Sequence, residues 1–279
     1  MGFISAVNRL ISIYVESLRA VFRFKIWLPF FLLAVMQFLL LLLFRAYVHP
    51  VVYPILSPFV DLTGDNAAAM FARYPGLYIA LPYVYQWGKL ILGVLFEGLA
   101  VGFTAMLFLR HFGSRKGERI DTRFTFSRWP QLAIVWTIVT GLILAVNMWL
   151  PELFRDFLTG SPRRLMAFEI IMRLIAVAVY AVFIYAVPAI IVYRDNLLTA
   201  LKSSFTLFFR YPVFTFFVAL IPYLFTVPTS YLSSQSAMIA TKFTPELVFY
   251  ILTAGILVDM LVNFFLIGAV VNFMIEEGD

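Results

Sequence analysis

Residues 26–48 read IWLPFFLLAVMQFLLLLLFRAYV, a run whose single charge, Arg45, stands near its far end. As a helix at 1.5 Å per residue, the run reaches ~34 Å, enough to cross a hydrocarbon core of about 30 Å. Apolar residues follow one another without the alternation of a membrane β-strand, so a barrel is excluded and a helix expected. The run begins at residue 26 and is followed by His49 and Pro50, with no small-residue cleavage site. It therefore reads as a retained helix rather than a secretory signal.

Five further stretches have the same character: 90–109 with one charge, Glu97; 131–150 with none; 170–193 with Arg173; 213–232 with none; and 247–275 with Asp259. Composition agrees. Of 279 residues 63% are hydrophobic and 13% charged, 31 are Phe, and mean hydropathy is +0.94. Soluble domains carry about 25% charged residues, and even large ones bury only roughly 75% of the surface of the unfolded chain. A soluble enzyme, a disordered chain and a secreted disulfide scaffold are thereby excluded. The absence of Cys removes thiolate metal sites and Cys nucleophiles. The fold class expected is all-α: a polytopic integral membrane protein with six transmembrane helices in a domain over 26–275, and cytoplasmic interfacial amphipathic helices at 1–25 and 194–211.

The net charge of +6 and pI near 9.5 point to a membrane surface rather than nucleic acid. No basic run is interleaved with aromatics in a soluble segment, and cytoplasmic Lys and Arg are what set membrane orientation. The 110–128 loop carries Arg110, Arg115, Lys116, Arg119, Arg123 and Arg128, and it decides the orientation. Six spans then leave both termini cytoplasmic. The long exterior connection runs from His49 to Lys89 and holds Pro50, Pro54, Pro58, Pro75 and Pro82. Its GLYIALPYVYQW segment either lies at the outer interface or extends the second span outward, and the whole connection is a candidate lid.

Residues 4–25 carry an apolar helical stripe, Ile4, Val7, Ile11, Tyr14, Leu18 and Val21, with Asn8, Arg9, Ser12, Glu16, Arg19 and Arg23 mainly on other faces. That pattern suits a helix lying in the headgroup plane. The 194–211 segment repeats it with Leu197, Leu201, Phe205 and Phe208 beside Lys202 and Arg210, and Asp195 or Asn196 stands where a helix cap is needed. These six residues are the expected docking surface for a protein partner or for membrane lipids. Three spans are entered through a basic residue, an aromatic and a proline: Lys25, Trp27 and Pro29; Arg128, Trp129 and Pro130; Arg210, Tyr211 and Pro212. The recurrence is consistent with three related hairpins and equally with interfacial anchoring alone.

Charged groups facing lipid cost ~2.5–3.5 kcal/mol each on insertion scales, so those inside spans should face protein or water. Glu97, Asp259, Asn263 (one turn beyond Asp259), Arg173 and Glu169 form the candidate ligand or ion pathway; Glu169 and Arg173 are four apart and able to pair. Arg45 and Asn147 lie near the same ends. Two readings stay open: Glu97 and Asp259 as proton or cation sites, or polar groups that hold helices together. Pro222 and Pro228 in one span, and Pro188 in another, mark broken or kinked helices. The Gly98-xxx-Gly102 pair favours close helix contact.

The stretch 187–222, VPAIIVYRDNLLTALKSSFTLFFRYPVFTFFVALIP, resembles the membrane domain attached to some bacterial glycerophosphodiester phosphodiesterases and related stand-alone proteins. The resemblance rests on Pro188, Asp195, Ala200, Leu201, Lys202, Ser204 and Arg210. It implies a six-span bacterial inner-membrane fold with a cytoplasmic helix. The catalytic barrel of those phosphodiesterases has no counterpart here, so no hydrolase activity carries over. HExxH, GxSxG and Gly-rich phosphate loops are absent, and His49 and His111 fall on opposite sides of the expected topology. No cofactor, metal site or catalytic residue is expected. The expected function is a non-enzymatic membrane component of an assembly, docking a partner or lipid through its cytoplasmic helices. The alternative is a small secondary transporter or transporter subunit built on Glu97 and Asp259. A lipid-handling membrane enzyme comes last, having no nucleophile or base to carry it.

Overall fold

The computed structural model describes residues 3–112, 122–154 and 161–278. Arg115, Lys116 and Arg119 of the basic loop, Arg155 and Asp279 lie outside the described residues, as does the side chain of Ile4. The protein is all-helical, 87% of it in helix and with no strand among the described residues. In chain order the helices are α1 (Phe3–Arg19), a 3-10 turn (Ala20–Phe22), α2 (Phe24–Arg45), α3 (Tyr53–Asp61), α4 (Asp65–Phe71) and α5 (Gly76–Leu92). A π-helical turn (Gly93–Glu97) leads into α6 (Gly98–Phe112), and α7 (Thr122–Ser127), α8 (Trp129–Leu153), α9 (Pro162–Phe183) and α10 (Ala186–Val192) follow. The last are α11 (Leu197–Arg210), α12 (Pro212–Leu224), α13 (Val227–Ser234), α14 (Ser236–Lys242) and α15 (Leu247–Gly278).

Five stretches are long and apolar enough to cross a membrane: Phe24–Arg45, Gly76–Phe112, Trp129–Leu153, Arg163–Val192 and Leu247–Glu277. Two expectations change. The second span does not start at 90 but runs unbroken from Gly76, so GLYIALPYVYQW is helix and Lys89 is inside the span rather than at the end of a loop. The expected fifth span, 213–232, is divided at Phe225–Thr226 into α12 and α13. Pro228 lacks the N–H that would bond the Leu224 carbonyl, and a residue before proline resists the helical region. Past the break hydroxyls bond back onto carbonyls of their own turn: Thr229 donates to the Thr226 carbonyl (3.0 Å), Ser230 to Val227 (3.0 Å) and Ser233 to Ser230 (2.9 Å). A sixth crossing depends on a bent pair, α11 with α12, whose axes meet at 102°.

The residues divide into two compact units. One comprises Met1–Pro29, Val94–Leu224 and Asn263–Asp279. In it α10 packs on α6, and α9 touches both α8 and α12. Gly98 allows α6 to meet α8 backbone to backbone, since a Cβ there would lie 2.7 Å from the Leu132 carbonyl oxygen. Tyr185 is fully buried and shares a 2.9 Å hydrogen bond with the Thr215 hydroxyl. The other unit comprises Phe30–Gly93 and Phe225–Val262. There α5 packs on α4 and α14, and the proline-rich connection, far from being loop, forms α3 and α4. Val60 and Phe71 are wholly buried, and Phe71 meets Phe44 and Tyr47 edge-on at 6.2 and 5.0 Å.

Candidate functional site

Asp259 stands twelve residues into α15 and Lys89 thirteen residues into the Gly76–Phe112 helix, ~18–20 Å from the ends of their helices at 1.5 Å per residue. At that depth the Lys89 ammonium and the Asp259 carboxylate form an ion pair. On α5 the turns around Lys89 bury Tyr85 and Gly88, and the latter approaches Leu40 and Phe44. The two side chains remain 34% and 27% exposed, so the pair is reachable rather than sealed in a core. Asp259 therefore does not stand alone, as its position in the sequence implied; its partner is a lysine that the charge count had assigned to an outer loop.

Glu97 belongs to the other unit and closes the π-helical turn Gly93–Glu97. Such turns insert a residue into the helix and often mark functional sites, because they redirect side chains and free carbonyls. The Leu95 carbonyl is taken up by the Trp129 indole N–H at 2.7 Å, and the Trp129 ring stacks on Phe96 at 6.2 Å. Glu97 itself accepts a hydrogen bond from the Asn263 amide at 3.3 Å. In the same unit Tyr180, Trp136, Val101 and Ile267 line a small apolar cavity with room for no more than about one water.

A third polar cluster joins the first helix to the end of the last. Arg9 donates to Glu276 and Glu277, both at 2.8 Å, and its guanidinium lies 4.6 Å from the Phe273 ring centre. Tyr211 donates to Glu277 at 2.8 Å, with Arg210 3.7 Å away from the same carboxylate. Asn272 donates to Glu16 at 2.6 Å, and Tyr14 to the Val218 carbonyl at 2.7 Å. Burial alone would lower the pKa of Arg9, but its hydrogen bonds to Glu277 and Glu276 outweigh that and hold it above the ordinary value. Burial pushes the Tyr14 hydroxyl well up, helped by nearby Tyr185. Arg9, Tyr14 and Glu16 thus face protein, not the surroundings the amphipathic pattern gave them. Charge-assisted bonds of this length are the strong class.

The remaining expected residues are placed as follows. Glu169 is exposed and Arg173 half-buried, and among the described residues no ion pair joins them; Arg173 acts instead on Tyr223. Asn147 bonds back to the Ile143 carbonyl of its own helix at 2.8 Å, and Arg45 covers the Phe249 ring at 4.8 Å. On α11, Leu197, Leu201 and Phe208 are half-buried, and Phe205 meets Phe183 edge-on at 5.2 Å. Lys202 and Arg210 are exposed, and the outward apolar side chains are Leu198, Phe209 and, in part, Phe205 itself. The stripe expected to dock a partner is thus turned largely toward the unit's own core, where Ser204 donates to the Val182 carbonyl at 2.7 Å. Asn196 occupies the cap position without capping the helix, its side-chain oxygen instead accepting from Arg128 at 3.4 Å, and Asp195 accepts from Ser203 at 3.2 Å.

No group of three or more His, Cys, Asp or Glu among the described residues is arranged to hold a metal ion. Lys89 and the Arg9 cluster are the parts missed from the sequence. Lys89 is flanked by Trp87-Gly88 and Leu90-Ile91, an apolar setting that marks it as intramembrane once the span is not cut at the charge. Comparison with known proteins finds no matching family model, no similar curated protein and no similar solved structure.

Proposed function

We propose that the chain is an ion-coupled secondary transporter, or the membrane subunit of one, residing in the bacterial inner membrane and using the Lys89–Asp259 pair as its charge-handling site. The observation that carries this reading is a partly exposed ion pair in the interior of two helices that are each long and apolar enough to cross a membrane. Ionisable groups are rare in such places and mark proton and ion pathways. Opening the Lys89–Asp259 bridge would change the charge that the helix pair presents, which is the handle an ion-coupled step needs. The break at Phe225–Thr226 ahead of Pro228 belongs with this reading, since discontinuous spans recur in transporters.

A six-span topology with both termini cytoplasmic fits the same reading. Five crossings would put the termini on opposite sides, yet Arg9 is bonded to Glu276 and Glu277. That bond supports an even number of crossings, with the 197–242 region as the proposed source of the sixth. Arg110, Arg123 and Arg128 favour the cytoplasm for the loop that holds them. A second reading, a non-enzymatic component of a membrane assembly, is favoured by one observation: Leu198 and Phe209 on α11 are 79% and 70% exposed.

The test is proton flux into proteoliposomes containing a trapped pH dye and driven by a potassium diffusion potential. Wild type is expected to acidify the lumen and Asp259→Asn to fall to the level of empty vesicles. Equal rates for the two proteins, with both folded, defeat the proposal.

A further inference from the structure

One face of α1 is left largely open by the described residues. Val7, Ile11, Val15 and Leu18, followed by Phe22 of the 3-10 turn, are exposed, Ile11 and Leu18 at 55% and Phe22 at 93%. Their spacing of four, four, three and four residues keeps all five on one side of a helix of 3.6 residues per turn. The opposite side is spent on the protein: Ile13, Ser17 and Ala20 are wholly buried, and Arg9, Tyr14 and Glu16 make the bonds described above. Between the two faces runs a polar flank of exposed Asn8, Ser12 and Arg19. The register differs from the stripe predicted from sequence: Tyr14 turns inward, and Val15 and Phe22 replace it.

Three features say what covers the free face. Only Arg23 separates the 3-10 turn from the membrane-crossing candidate Phe24–Arg45, and Glu276 and Glu277 tie α1 to the end of another, so α1 is held where two spans reach a bilayer surface. The exposed charges next to the stripe, Arg19, Arg23 and Lys25, are all positive. The one acidic residue of this segment, Glu16, is taken by Asn272. An apolar stripe beside basic residues on a surface-lying helix is the pattern of an anionic-lipid contact.

We propose that the Val7–Ile11–Val15–Leu18–Phe22 face is a binding site for anionic phospholipid of the protein's own bilayer, with Arg19, Arg23 and Lys25 holding the headgroup phosphates. The proposal is independent of the transport reading. The test uses the full chain in vesicles, and because the sequence has no Cys, single cysteines at Ile11, Leu18 and Ser12 can each carry a spin label. In phosphatidylcholine vesicles with one quarter phosphatidylglycerol, labels at 11 and 18 are expected to collide with oxygen and be shielded from a water-soluble nickel chelate, and the label at 12 to do the reverse. Nickel access at 11 and 18 overturns the proposal. So does shielding from both reagents, which would place a protein on this face. Independently, quenching of Trp27 by brominated phosphatidylglycerol is expected to need about five-fold more lipid for each of Arg19→Gln, Arg23→Gln and Lys25→Gln, the equivalent of ~1 kcal/mol per charge near the surface. Unchanged lipid dependence in the triple variant also overturns it.

Discussion

Removing Lys89 should cost more than removing the pair. In Lys89→Met the Asp259 carboxylate stays at its depth in the helix without a counter-charge. A central aspartate costs ~2.5–3.5 kcal/mol on insertion scales, and breaking a fully buried pair costs about 3–5 kcal/mol. Lys89 and Asp259 are roughly a third exposed, so both figures must be scaled down for solvent screening. About 2 kcal/mol is expected for Lys89→Met, and a similar loss for Asp259→Leu, which takes the bridging carboxylate from the ammonium. The double variant leaves neither charge behind and replaces the pair with apolar groups, so it should lie within ~1 kcal/mol of wild type. The coupling between the sites is then ~2–3 kcal/mol of non-additivity, well outside the ~0.5 kcal/mol scatter of independent sites. Reversible unfolding in mixed micelles, followed by far-ultraviolet circular dichroism, measures all four corners of the cycle. Single variants that each lie within ~0.5 kcal/mol of wild type, and that simply add, would refute the reasoning: the two charges would then not be partners.

Other parts of the structure make separate predictions. Gly98→Val should destabilise by about 1–3 kcal/mol, read as lost thermal stability in detergent, because its Cβ would sit 2.7 Å from the Leu132 carbonyl oxygen. Gly141, with nothing near its missing Cβ, should accept Ala with no loss. Arg9→Ala leaves Glu276 and Glu277 without their closest cation and should loosen α1 by about 1–2 kcal/mol, seen as faster motion of a spin label at Ser12. The raised Tyr14 hydroxyl keeps its proton in the folded state where the unfolded chain, with a tyrosine pKa of about 10, has lost it. Its contribution is whole below about pH 10 and lost as pH climbs toward the raised value. Alkaline release of α1 should therefore be blunted in Tyr14→Phe.

The all-helical class and the approximate course of most spans are legible because hydrocarbon imposes one length and one polarity on any segment that crosses it. Legibility ends where a residue's environment comes from another part of the chain. Lys89 looks like a span boundary because a lone charge is costly in lipid, and the partner contributed by Asp259, 170 positions away, is out of sight in the local sequence. The same holds for Arg9 and Glu16, whose polar character marks a solvent face in a free helix but here meets Glu276, Glu277 and Asn272. Trp129 reads as an interface anchor, yet its N–H serves the Leu95 carbonyl freed by a π-helical turn, and that turn has no sequence pattern to announce it. Pro222 and Pro228 do signal a break, though not that it falls at Phe225–Thr226.

Solid-state NMR of the protein in lipid bilayers bears most directly on the intramembrane ion pair. With side-chain nitrogen-15 on lysine and carboxyl carbon-13 on aspartate, dipolar dephasing should report one short Lys–Asp approach between charged groups, and Lys89→Met should abolish it. Dephasing that persists in that variant, or that is absent from the wild-type spectrum, would contradict the account.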